Sequence, residues 1–172
     1  KLNFKMEDAS DEITVYLYTR VYSWLAREYA MLYSNALAQG IKRIYLRINC
    51  AGGNVFAGNA IYNLIKSSPI ETYTLNDGMA ASMGGMVFLA GHKRLMARSA
   101  MFMRHNPSGG CQGEAGDMRK CADQLEKIGG VMANEYAAIT GEDVETVKAS
   151  MAKTEWYTSE EALKLGLVDE IY

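Results

Sequence analysis

The 172-residue sequence contains no Cys-x-x-Cys pair, no run of like charge, no internal repeat and no apolar stretch of bilayer length. Each absence removes a class of function. Three cysteines (Cys50, Cys111, Cys121) and two histidines (His92, His105) disfavour both a disulfide scaffold and a zinc site, and no metal or cofactor is expected. Basic residues are interleaved with acids at a net charge of −2, so nucleic acid and anionic membrane are poor partners. The longest apolar stretch, Met83 to Ala90, is about half the length a transmembrane helix needs, and no charged-then-apolar leader precedes the first strand. The expectation is a soluble, unexported protein.

What is present is enough apolar surface for one substantial core, with 49% hydrophobic residues and no linker dividing the chain. A single α/β domain over residues 1–172 is the simplest organisation. Alternation in Ile13–Leu17 predicts a strand, followed by a helix from Tyr22 to Gln39 that Gly40 terminates. Arg43–Ile48 reads as the next strand, Gly52-Gly53 as a turn, and Ala57–Ser67 as a second helix. Glu71–Leu75 predicts a strand ended by an Asp77-Gly78 turn, and Ala80–Ala90 a helix of small residues with Ser82 in its first turn. Short strands at 93–97 and 100–104 lead to His105 and a glycine-rich loop. The longest helix is predicted at Gly116–Thr140, interrupted at Gly129-Gly130 because paired glycines cost roughly 1 kcal/mol each there. Helices at 142–151 and 159–165, the latter with a Thr158/Glu161 capping box, precede a strand at 168–171.

A serine hydrolase needs a hydroxyl, an imidazole to take its proton and N–H donors aimed at the developing oxyanion. Ser82 among Ala80, Ala81, Gly84 and Gly85 offers the first, His105 the second, and Gly52-Gly53 lets a backbone amide approach a ligand. Taken singly, Ser82 is more readily a helix cap and His105 a scaffold residue than a catalyst, and the glycine pair can be only a tight turn. Together, Asn49-Cys-Ala-Gly-Gly53, Gly78-Met-Ala-Ala-Ser-Met-Gly84 and Met103-Arg-His-Asn-Pro107 occur in one chain in this order. With Ala57–Tyr62 and Glu161–Asp169 they make the sequence resemble the ClpP family of self-compartmentalised serine peptidases, from about Ile13 to Tyr172.

The resemblance implies an α/β spiral of ββα units, as in ClpP and crotonase folds, with the long helix at about 116–140 projecting as a handle that pairs subunits across stacked rings. It implies Ser82 as nucleophile, His105 as general base, and the amides of Gly53 and Met83 as oxyanion hole. A peptide substrate would lie as an added strand between Asn54, Val55 and Phe56 and the loop near Ser108–Gln112. Three departures matter. Cys50-Ala51 replaces the family's Ser-Pro, and the catalytic aspartate's position holds Thr154, with Glu155 next to it as the alternative third member. No counterpart of the segment that docks an ATPase unfoldase precedes the first strand, so that partner is not expected. Met151-Ala-Lys-Thr-Glu-Trp156 is similar to phage and prophage ClpP-like proteases of capsid maturation, which implies the cytoplasm of a bacterial or phage-infected cell. Two other functions remain open: a catalytically silent ring or scaffold, and crotonase-type acyl-CoA hydration or isomerisation.

Overall fold

The computed structural model describes residues 3–6, by backbone alone, and residues 11–172. Contacts gather into two compact units, residues 1–103 with 156–172 and residues 104–155, a division that neither composition nor repeats signal.

The first unit is built on a mainly parallel sheet. Strands β1 (Asn3–Met6), β2 (Glu12–Leu17), β3 (Arg43–Cys50) and β4 (Glu71–Ala81) are neighbours in that order, β1 antiparallel and the rest parallel. Alternation in the sequence explains the burial: Ile13, Val15 and Leu17 of β2 and Ile44, Leu46 and Ile48 of β3 all face the core. Each contributes about 1.5–3 kcal/mol by leaving water. Helix α1 (Leu25–Ala38) starts three residues later than predicted and ends as expected at Gly40, whose φ of 73° allows Ile41 to donate back to the Ala36 carbonyl at 3.0 Å. Helix α2 (Val55–Lys66) follows β3 and α3 (Met83–Leu89) follows β4. Strands β5 (Lys93–Met96), β6 (Met101–Arg104) and, after the second unit, β7 (Glu155–Tyr157), helix α6 (Ser159–Lys164) and β8 (Glu170–Ile171) complete it. Thr158 and Glu161 form the expected capping box on α6.

Strand β4 departs from the sequence reading, which ended it at Leu75 with a turn at Asp77-Gly78. It runs on to Ala81 and changes partner: Tyr73–Asn76 pair with β5, Met79–Ala81 with β6. Asp77 is not spent on a turn. Its carboxylate accepts two hydrogen bonds from the Arg47 guanidinium, at 2.8 and 2.6 Å, and further ones from the Tyr18 and Tyr172 hydroxyls. Asn76 ties the extension to the first residue of β6 by donating to the Met101 carbonyl at 3.0 Å.

The second unit contains α4 (Ala115–Thr140) and α5 (Val144–Lys153). Helix α4 is continuous through Gly129-Gly130, where an interruption was expected. Gly129 lies against Pro107, where a Cβ would make ordinary contact with the ring at 3.4 Å, and Gly130 has open space beside it, so nothing in the packing explains the pair. The apolar residues of α4 divide by burial. Met132 and Tyr136 are buried within the subunit, Leu125 and Ile128 are half-buried, and Met118 and Val131 are exposed.

Candidate active site

Ser82 was expected in the first turn of a helix. It lies one step earlier, as the N-cap of α3, on the turn that joins β4 to that helix. Its φ of 54° and ψ of −126° place a residue with a side chain in a region costing about 1–3 kcal/mol, so the surroundings must enforce it. They do so from both sides: the Ser82 amide donates to the Met103 carbonyl at 3.0 Å, and the Ser82 carbonyl accepts from the Met86 amide at 3.1 Å. Helix α3 leaves its first amide, that of Met83, without an intrahelical acceptor, which is what an oxyanion donor requires.

The glycine pair is packed onto this turn. A Cβ on Gly52 would fall 2.7 Å from Ser82 Cβ and 2.9 Å from the Met83 nitrogen, so only glycine fits beside the serine. Gly53 has φ 149° and lies against Val21, where a Cβ would meet the Val21 carbonyl oxygen at 2.3 Å. Val21 donates to Gly52 at 2.9 Å and accepts from Asn54 at 2.6 Å, forming a one-residue parallel bridge. Cys50 completes the brace: its buried Sγ accepts the Gly52 N–H at 3.3 Å, giving the turn a tether where the resemblance would have proline. Burial pushes the Cys50 thiol above its ordinary range, so it serves here as a neutral sulfur. The Met83 side chain, fully buried, presses on Gly58 of α2, where a Cβ would stand 2.3 Å from its Cγ. Thus Gly52 is packed against Ser82 and Met83, while Gly53, next in the chain, is packed against Val21.

The residues expected to line the substrate are placed differently. Asn54 is the N-cap of α2, its side chain accepting from the Ala57 amide at 2.8 Å, and Val55 and Phe56 are in the first helical turn. Helical backbone cannot pair with an added strand at Val55 and Phe56. Phe56 presents its ring to solvent instead, at 65% exposure.

In the second unit His105 directly follows β6 and is half-buried. Its backbone is fixed on both sides. Arg104, 1% exposed, gives Nε to Ser150 Oγ at 2.6 Å and grips Glu142 with both terminal nitrogens at 2.7 and 3.0 Å. Asn106 donates to the Met151 carbonyl at 3.1 Å. The hydrogen bond from Arg104 holds the Glu142 carboxyl below its ordinary value, against burial and the nearby negative charge of Glu155. The Arg104, Glu142 and Ser150 cluster was missed in the sequence; an arginine at an inward-facing position of β6 was its one signal. Thr154 caps α5 in the left-handed region, at φ 56° and ψ 66°, and Glu155 begins β7. A β-branched side chain there is as strained as Ser82.

A hydroxyl on an enforced elbow beside an orphan amide, with an imidazole on a clamped strand end, are the parts acyl transfer needs. Among the described residues, no helix is long and apolar enough to cross a membrane. Known proteins resemble the chain in sequence and in fold. An ATP-dependent Clp protease proteolytic subunit 2 from Thermobifida fusca is 39% identical over 130 residues, 74% of this chain and 64% of that protein. The chain therefore spans less than two thirds of that relative's length. A subunit 1 of the same description from Leifsonia xyli is 39% identical over 137 residues, 78% of this chain and 70% of its own. The structure of a ClpP1 mutant from Listeria monocytogenes matches with a TM-score of 0.84 at 25% identity, covering 92% of this chain and 90% of that one. This confirms the α/β fold with its parallel sheet and long helix α4 as the ClpP fold. The Clp protease family model matches residues 3–172, and with likeness in sequence and fold along nearly its full length, the chain belongs to that family.

Proposed function

We propose that the chain is a serine endopeptidase that cleaves peptide bonds through an acyl-enzyme on Ser82. The observation that carries this reading is the positive φ of Ser82 at a strand-to-helix turn against which Gly52 packs too closely for any side chain. His105 takes the Ser82 proton during attack and returns it to the leaving amine, while the Gly53 and Met83 amides stabilise the oxyanion. Thr154 is the group that orients the imidazole, with Glu155 as its alternative. Threonine orients by hydrogen bonding without a stabilising charge, so turnover is slow relative to a triad with an acid.

The reading extends to assembly and partners. The chain self-associates, as stacked rings, through α4. The relatives' names tie them to ATP, which favours the ATPase partner that the sequence reading set aside. Those names say nothing of capsid maturation, so the phage setting gains no support, and the family match leaves acyl-CoA chemistry without any.

A fluorophosphonate probe tests the proposal. It is expected to label Ser82 alone, and Ser82→Ala and His105→Ala are each expected to remove nearly all hydrolysis of a small peptide ester. The double variant adds little, because the two groups act in one step. Full activity in Ser82→Ala ends the serine-peptidase reading.

A further inference from the structure

The segment after His105 is neither helix nor strand, yet its course is regular. Pro107 lies against Gly129, Gly109 against Leu125 and Gly113 against Asp117: Cβ atoms built on Gly129, Gly109 and Gly113 would come within 3.4, 3.5 and 2.7 Å of those partners. Two residues of extended chain advance about 6.6 Å, and four residues of helix about 6 Å. The segment therefore runs antiparallel along the first half of α4, dropping one helical turn for every two of its own residues. This register sets residue 111 opposite residue 121, and both are cysteines. The side chains agree with it. Cys111 Sγ lies 3.4 Å from the thioether of Met118, which shares a helix face with Cys121 three residues on. The neighbouring Cys121 holds the Cys111 thiol above its ordinary range. Cys111 is exposed and Cys121 half-buried, and both are free thiols.

We propose that Cys111 and Cys121 form a reversible disulfide that clamps the segment after His105 to α4 when a hydroperoxide is present. The Cys111 thiol, exposed but held above its ordinary range, first gives up its proton in the slow step; its sulfur then attacks a peroxide oxygen, giving a sulfenic acid while the displaced hydroxide takes that proton as one water when hydrogen peroxide is the oxidant. The Cys121 sulfur then displaces the sulfenic hydroxyl, which leaves with the remaining thiol proton as a second water. Two thiols and one peroxide become one disulfide and two waters. The clamp fixes the segment that flanks the proposed base, and its effect on peptide hydrolysis rests on the peptidase reading above.

The test is to treat the full chain with hydrogen peroxide and digest it with trypsin without reduction. Cleavage after Arg104, Arg119, Lys120 and Lys127 puts Cys111 in the peptide 105–119 and Cys121 in 121–127. The expected product is these two peptides joined, lost on adding dithiothreitol and absent from Cys121→Ser. Peptide ester hydrolysis is expected to fall several-fold on oxidation and to recover on reduction, with Cys121→Ser showing no such fall. Cross-links only between copies, over-oxidised Cys111 without a cross-link, or thiols left free overturn the disulfide. A cross-link with unchanged hydrolysis overturns its regulatory effect. A cross-link in a protein whose Ser82 never reacts with the probe upholds the disulfide and sinks the peptidase reading instead.

Discussion

Gly52 shows how narrowly Ser82 is held. Adding one methyl there puts a carbon 2.7 Å from Ser82 Cβ and 2.9 Å from the Met83 nitrogen, so the elbow must shift away from the oxyanion donors. Gly52→Ala is expected to lower kcat/KM by about 10²–10³, the loss typical of one missing oxyanion donor. Cys50 tests the same turn more gently: Cys50→Ser keeps an acceptor for the Gly52 amide, Cys50→Ala does not, and only the second is expected to lose hydrolysis. Thr154 poses a different question, because its left-handed backbone suits Asp, Asn or Gly better than a β-branched residue. Thr154→Asp and Thr154→Gly are both expected to raise stability by about 1 kcal/mol in thermal unfolding. Only Thr154→Asp is expected to speed ester hydrolysis as well. If it does not, while Glu155→Gln loses activity with its fold intact, Glu155 holds the role.

At the scale of elements, the strand end carrying His105 depends on a buried charge. Glu142→Gln removes the anion that balances Arg104 and is expected to cost about 3 kcal/mol in denaturant unfolding, the lower end for breaking a buried pair. The sign with pH follows from the lowered carboxyl. The unfolded chain takes up the Glu142 proton near 4.5 and the folded chain only at lower pH. Stability from this pair is therefore fully present above that range and lost as pH falls through the folded value. An acid titration of unfolding that Glu142→Gln leaves unaltered below pH ~4.5 would refute the pairing. The sequence made the elements legible where periodicity was strong and caps were local, as in β2, β3, α2 and the Thr158 box. It misled where punctuation residues had tertiary work. Asp77-Gly78 reads as a turn until Arg47, thirty residues away, claims the carboxylate. Gly129-Gly130 reads as a break, yet the helix runs through it with every residue from Ala115 to Thr140 helical. The motifs drew attention to Ser82 and the glycine pair, whereas the tether from Cys50 and the clamp on Arg104 depend on partners that no local pattern reveals.

For the whole molecule, burial within the subunit changes how assembly is tested. Replacing Met132, which is 3% exposed, puts a charge into the subunit's own core, so Met132→Asp is expected to unfold it. Val131, 58% exposed on the same helix, is the better probe of the proposed ring contact. Val131→Asp is expected to lower the sedimentation coefficient while circular dichroism stays native; a wild-type chain that sediments as a monomer contradicts the assembly. Strand β4 has a consequence of another kind. Its first half is registered against β5 and its second half against β6, with Ser82 following directly, so the strand works as a ruler fixed at two marks. One residue gained or lost between Asn76 and Met79 cannot be absorbed by slippage, since sliding either half turns its buried side chains outward. Length variation among descendants of this sequence should therefore spare 71–82, even where the individual side chains of β4 are free to drift.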